Sequence, residues 1–176
     1  MAGSARIAGY LIPLAVLGAA AGCAPIPVQS NPHAFEVPLD APLKFRDGPT
    51  IELVNAYRVP TKGKIFLGTP NWEVDLQQFT GSAIVLLGQE MRKAGASVGS
   101  ARKSIVVRVH SVQAGPGMWL VSSRVVLDAE YGDGTKSSVA AEDAAANASR
   151  AIDGALVIAV SKLLVDERFQ AFVNAR

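Results

Sequence analysis

Cysteine, histidine and net charge are all in short supply in this sequence. One cysteine in 176 residues cannot close an intramolecular disulfide, and two histidines far apart, His33 and His110, cannot make a local zinc motif. Disulfide scaffolds and zinc knuckles are thereby excluded. Seventeen lysines and arginines against fifteen acids give a formal charge of +2, too close to neutral for a dedicated nucleic-acid binder. Glycines 81, 88, 95 and 99 do not fall into the G-x-G-x-x-G or phosphate-loop spacing, and no segment is read as a nucleophile elbow. No metal and no cofactor is expected. The length suits one ordinary domain with a core of its own.

What the sequence does have begins at its first residues. Arg6 is the single charge before the run IAGYLIPLAVLGAAAG, Ile7 to Gly22, which ends in small residues directly before Cys23. A basic start, an apolar middle and a small-residue exit describe a secretory signal peptide over residues 1–22. Sixteen uncharged residues interrupted by Pro13 fall short of the roughly 20 that span a bilayer. Two cleavage points are open. Ala19-Ala20-Ala21 satisfies the rule for ordinary signal peptidase, which would release a soluble periplasmic protein. Ala20-Ala21-Gly22-Cys23 resembles the lipobox of bacterial lipoproteins, with Ala20 where that family usually carries leucine. The one cysteine stands at the one position that a lipobox requires, and a spare thiol in an oxidising compartment would otherwise be a liability. Cys23 is therefore expected to be the lipidation site. The lipobox resemblance implies more than one acyl chain there, each buried methylene contributing about 0.8 kcal/mol to anchoring. Ala24, in place of an inner-membrane retention aspartate, implies the periplasmic face of the outer membrane.

Six of the ten prolines lie between Pro25 and Pro49, so residues 23–49 are expected to be a lipidated N-terminus followed by an extended, proline-rich tether. Residues 50–176 are expected to form a periplasmic α+β domain. Alternation over Thr50 to Val59 predicts a half-buried strand, and Lys62 to Leu67 suits a short edge segment. From Asn71 to Ala94 the spacing of Leu76, Phe79, Ala83, Leu86 or Leu87, Met91 and Ala94 predicts a helix, with Thr69-Pro70 at its start and Gly95 at its end. Gly81 within it points to a close contact. Ser104–Val112 and Trp119–Tyr131 alternate as a hairpin around the turn residues Ala114 to Gly117, and Gly132 to Thr135 turns into a third strand at Lys136–Ala141. A second apolar stripe runs from about Asp143 to Val165, and Asp166 caps a last turn holding Phe169, Phe172 and Val173. The expected fold is a two-layer α+β sandwich: a mostly antiparallel sheet of about four strands with two amphipathic helices on one face, in the order β-α-β-β-β-α.

Few side chains point to chemistry. His110 falls on the wet face of a strand, and its expected neighbours, Arg108 and Arg124, include no carboxylate to orient it. Asp128, Glu130 and Asp133 lack EF-hand spacing and read as a solvated strand face. Arg92, Lys93, Arg102 and Lys103 flank one helix-to-strand connection and, with Trp72, make a candidate interaction surface for anionic headgroups or a polymer. Trp119, like Trp72, could form part of a partner surface, with packing in the core or at a sheet edge as the favoured reading.

The succession of lipobox, proline-rich segment, strand, helix, three-strand meander and closing helix resembles the small proteobacterial envelope lipoproteins. The ending DGALVIAVSKLLVDERFQAFV is similar to the closing helix, aspartate break and final apolar turn of YajG-type lipoproteins, a likeness covering residues 50–173. The element order is also similar to the LptE-like lipoprotein of the lipopolysaccharide translocon and to auxiliary lipoproteins of ABC-type lipid transport. These resemblances imply a non-enzyme: an outer-membrane-anchored periplasmic lipoprotein serving as a binding or assembly module of an envelope transport or biogenesis system. Its partners would be the membrane, through the lipid anchor, and an envelope protein complex, with no nucleic acid. The alternative is a periplasmic carrier that holds a lipid or other apolar ligand between sheet and helices.

Overall fold

The computed structural model describes residues 26–45, 48–65 and 72–175. Cys23, the leader and the expected helix start at Thr69-Pro70 lie outside the described residues. The strands are β1 (Ile26–Val28), β2 (Thr50–Asn55), β3 (Lys62–Ile65), β4 (Trp72–Asp75), β5 (Ser97–Val98), β6 (Lys103–Pro116), β7 (Val121–Tyr131) and β8 (Lys136–Ala145). The helices are α1 (Leu76–Lys93), α2 (Ala148–Val165) and α3 (Glu167–Asn174).

A five-stranded sheet in the order β5-β2-β6-β7-β8 forms the main layer. β2 runs parallel to β5 and β6, as a strand-helix-strand crossover through α1 demands, and β6, β7 and β8 pair antiparallel. Strand alternation puts Ile51, Ile105, Val107, Val109, Val125 and Leu127 on one face, all fully buried, where they meet Phe79, Leu87 and Met91 of α1 and Ile152, Leu156 and Val160 of α2. The α+β sandwich expected from periodicity is thus present, with a fifth strand and a second, three-stranded sheet, β1-β4-β3, added to it.

The added sheet moves the start of α1. Residues Trp72–Asp75 fit a helical stripe but pair with Lys62–Ile65 and with Ile26–Val28 instead. Asp75 then caps the helix: its carboxylate accepts Gln77 N–H at 2.9 Å and Thr61 N–H at 3.2 Å, so one side chain both starts α1 and holds the loop before β3.

The hairpin between β6 and β7 is longer than its turn residues suggest. β6 runs through Ala114 and Gly115 to Pro116, opposite Val121. A strand end tolerates proline because no further ladder N–H is required there. The turn is Gly117–Leu120, closed by Gly117 N–H donating to Leu120 C=O at 2.7 Å. A bulge between Val109 and Ser111 bends β6. On the other edge of β6, just past the end of β2, side chains take over from the ladder: Val109 N–H donates to Thr80 Oγ1 at 2.9 Å and Val109 C=O accepts the Tyr57 hydroxyl at 3.0 Å.

The proline-rich segment, expected as an extended tether, lies along the domain. Val28 and Phe45 are buried, and Phe35, Val37, Leu39 and Leu43 pack against the core. Ser30 Oγ and Asn31 N–H both donate to the carboxylate of Asp153 at 3.0 Å, Arg150 stacks on Phe35, Ser161 Oγ bonds Pro38 C=O, and Phe45 N–H reaches Ala94 C=O. The chain therefore follows α2 from its N-terminal to its C-terminal end before entering β2. The physical reason is α2 itself, which is apolar on nearly every side: the sheet covers one flank, and the rest needs α1, α3 and this segment.

Candidate functional site

The helices and the N-terminal segment leave the second face of the five-stranded sheet open. Its side chains alternate in sign across neighbouring strands. Arg108 meets Asp128 at 3.3 Å, Arg124 meets Glu142 at 2.8 Å, and Lys136 meets Glu130 at 2.9 Å. Val106 and Ala140 sit half-buried between them. Two shallow depressions mark this face. One of about 500 Å³ is floored by Val106 and rimmed by Arg108, Asp128, Lys136, Ser138 and Arg168. The other, about 700 Å³, lies nearer the hairpin between Gln113, Ser122, Arg124 and Glu142.

Asp128 organises the centre of the face. Besides Arg108, it accepts Ser138 Oγ at 2.7 Å and lies 3.3 Å from His110 Nδ1. The carboxylate that the sequence reading did not find for His110 is therefore present. The turn at Gly117–Leu120 shifts every cross-strand partner, placing Asp128 opposite Arg108 and Gln113 opposite Arg124. Serine, aspartate and histidine nevertheless do not line up as a nucleophile and its base, because Ser138 donates to Asp128 rather than to the imidazole.

The expected surface residues separate into different roles. Arg92 and Lys93 end α1, Arg102 immediately precedes β6 and Lys103 begins it; both pairs sit at the sheet end opposite the hairpin, since Ile51 pairs with Val98 on one side and Lys103 on the other. Lys93 holds Glu90 at 2.7 Å. Lys103 is committed to α3, where its ammonium donates to Phe172 C=O and Ala175 C=O and stands 5.8 Å from the Phe172 ring centre. Trp72 is half-buried in β4 between Ile26 and Ile65.

One spelling passed over in the sequence is corrected by its setting. Gly95-Ala96-Ser97-Val98-Gly99 does match G-x-S-x-G. A nucleophile elbow needs a strand leading into a helix, whereas this pentapeptide leads from α1 into the edge strand β5, with Ser97 N–H held by Pro49 C=O.

Sequence reasoning also missed the hairpin tip and Asp153. Met118 and Trp119 are each 88% exposed and Leu120 is 48% exposed, although alternation had placed Trp119 on the buried side of a strand. The available signal was the charge-free run Ser111–Ser123, which is too long for a hairpin turning at Gly115-Pro116. Asp153 is a carboxylate inside an apolar helix stripe, 5% exposed, and such a group requires donors.

What these surfaces define is an α+β sandwich with one covered and one open sheet face, and an apolar loop at one end. No family model and no curated protein matches the sequence. Among solved structures the chain is similar to one from Helicobacter pylori described as a neuraminyllactose-binding hemagglutinin homolog, at 9% identity and a TM-score of 0.36, over 79% of this chain and 97% of that one. A likeness that loose carries no argument about fold or function. Among the described residues, no helix is long and apolar enough to cross a membrane.

Proposed function

We propose that this chain is an outer-membrane lipoprotein, acylated at Cys23, whose periplasmic domain works as a non-enzymatic binding or assembly module of an envelope transport or biogenesis system. The observation that carries this reading is the open face of the five-stranded sheet. A sheet covered on one side presents a broad, rigid platform, and the charges on it are paired with one another around two shallow depressions rather than converging on a reacting centre. The carrier alternative needs room between sheet and helices. That space is occupied by Phe79, Leu87, Met91, Leu127, Ile152 and Leu156, all fully buried, which favours the module.

Labelled palmitate fed to producing cells tests the anchor. The wild-type chain is expected to take up label and to stay with membranes through a carbonate wash, whereas Cys23→Ser takes up none and is washed off. A wild-type chain that incorporates no label would overturn the lipoprotein reading. For the module, photo-crosslinkers at Arg124 and Ser138 on the open face should trap a discrete envelope protein. Native mass spectrometry showing a stoichiometric lipid in the domain would instead favour the carrier.

A further inference from the structure

The loop Gly117–Leu120 carries three consecutive exposed apolar side chains, whereas the other large exposed hydrophobics among the described residues, Val59, Val85 and Val165, stand singly. Isolated exposed side chains are ordinary on a protein surface; a contiguous apolar knob is not. Three features suit this one to a lipid surface. No charge occurs from Ser111 to Ser123, so the tip can leave water without desolvating an ion. The turn bonds its own backbone, Gly117 N–H to Leu120 C=O, so that pair is not stranded in a low-dielectric layer. Trp119 sits at the apex, and tryptophan favours the headgroup region, where its ring is apolar and its N–H stays near water.

The path of the N-terminal segment supplies the fourth and deciding feature. β8 ends at Ala145 opposite Val121, beside the tip, and α2 begins three residues later. Asp153, within the first two turns of α2, holds Ser30 and Asn31, and from there the segment runs away from the tip toward Pro38 and Ser161. The chain before Ser30 therefore belongs to the hairpin end of the domain. Cys23 is seven residues from Ser30, a reach of at most about 24 Å. The tip therefore stands at the end of the domain from which the described chain departs toward the expected anchor.

We propose that Met118, Trp119 and Leu120 form a second, non-covalent membrane contact that inserts into the headgroup boundary beside the lipid anchor. An acylated N-terminus alone lets a domain swivel; two points of attachment fix its tilt, and the open sheet face then stands away from the bilayer at a set orientation. The setting of this inference rests on the proposed anchor, but its test does not. The mature chain carrying Cys23→Ser and Trp72→Phe, exported behind a leader that ordinary signal peptidase removes, is unacylated and has Trp119 as its one tryptophan. It is mixed with vesicles of phosphatidylethanolamine containing phosphatidylglycerol. Trp119 emission is expected to shift to the blue and to be quenched by brominated acyl chains. Met118→Ser and Leu120→Ser should each weaken vesicle partitioning by up to about tenfold, the equilibrium worth of one apolar side chain. These exposed substitutions should leave thermal unfolding unchanged, which separates lost insertion from lost folding. Emission that stays that of a wet indole at saturating lipid would overturn the proposal. So would a crosslinker at position 119 that captures one envelope protein while the tip stays unquenched by lipid, which would make the knob a protein contact.

Discussion

The hydroxyl of Tyr131, buried on the inner sheet face, donates to Ser137 Oγ at 2.8 Å, and Ser137 in turn donates to Asp166 Oδ1 at 2.6 Å. Asp166 also accepts Arg168 N–H and Phe169 N–H, the cap that starts α3, while the Tyr131 ring stacks on Phe172 at 5.0 Å. This polar chain joins the sheet to the last helix, alongside the bonds from Lys103 to Phe172 C=O and from Arg168 to Lys136 C=O. Burial is the main force pushing the Tyr131 phenol up, to about 12, against a partial pull downward from Ser137. Its folded value lies above the ordinary 10.0, so the stabilisation it contributes is complete below pH 10 and is lost as pH rises toward 12. At Asp166, partial burial pushes the carboxyl up but is outweighed by the Ser137 hydroxyl, the backbone N–H groups of Phe169 and Arg168 and the Arg168 charge, so it sits below the ordinary 3.8. That contribution is present above pH 3.8 and is lost as pH falls through the folded value. Ser137→Ala breaks both links and leaves a buried phenol without its acceptor, at a cost of about 1–3 kcal/mol by urea unfolding. Tyr131→Phe should flatten the stability profile between pH 10 and 12, followed by circular dichroism.

Two glycines in the helices behave oppositely, and the sequence does not separate them. Gly81 was expected to mark a close approach, yet a Cβ there would meet only Asn55 Nδ2 at 3.9 Å, an ordinary contact. Gly81→Ala should therefore stabilise α1, by about 1 kcal/mol of helix propensity in thermal unfolding. Gly154, on α2, does mark one: a Cβ would come within 1.8 Å of Asp143 Oδ2 and 2.8 Å of its Cγ, so the β8 side chain must move. Gly154→Ala should destabilise, and the loss should shrink in the Asp143→Ala background, giving a coupling between helix and strand of about 0.5–3 kcal/mol. The extent of the β6–β7 hairpin was equally hidden. Gly115-Pro116-Gly117 is turn chemistry by composition, but the ladder continues to Pro116 because Gly115 and Pro116 find partners in Ser122 and Val121. Moving the turn by three residues changed which charges face each other across the open sheet.

Across the whole molecule, the N-terminal segment completes the fold rather than merely connecting it to a membrane. It covers α2, adds β1 to the smaller sheet and fixes the end of the domain at which the chain enters. Asp153 is the clasp. Asp153→Ala removes the acceptor of Ser30 Oγ and Asn31 N–H and is expected to cost about 1–3 kcal/mol. Because the loss is local, limited proteolysis should cut near Phe35 and Leu39 well before the sandwich itself opens, whereas wild type should resist until global unfolding. Intact segments in both proteins would show that the apolar contacts of Phe35, Val37 and Leu39 suffice without the clasp.

The sequence by itself determined the fold class, because strand alternation and helix stripes are local patterns: the inner-face valines and leucines of the hairpin, the stripe of α2 and the Asp166 cap all stand where those patterns place them. It also singled out Cys23, through position alone. Everything that depends on which segments meet was left to tertiary structure. Trp72–Asp75 is a strand because β3 and β1 offer backbone partners that outweigh its helical spacing. The proline-rich segment is held because α2 needs cover. His110 has a carboxylate neighbour because the hairpin turns three residues late. Trp119 is exposed for the same reason, and its place beside the entering chain comes from pairings between residues more than a hundred positions apart.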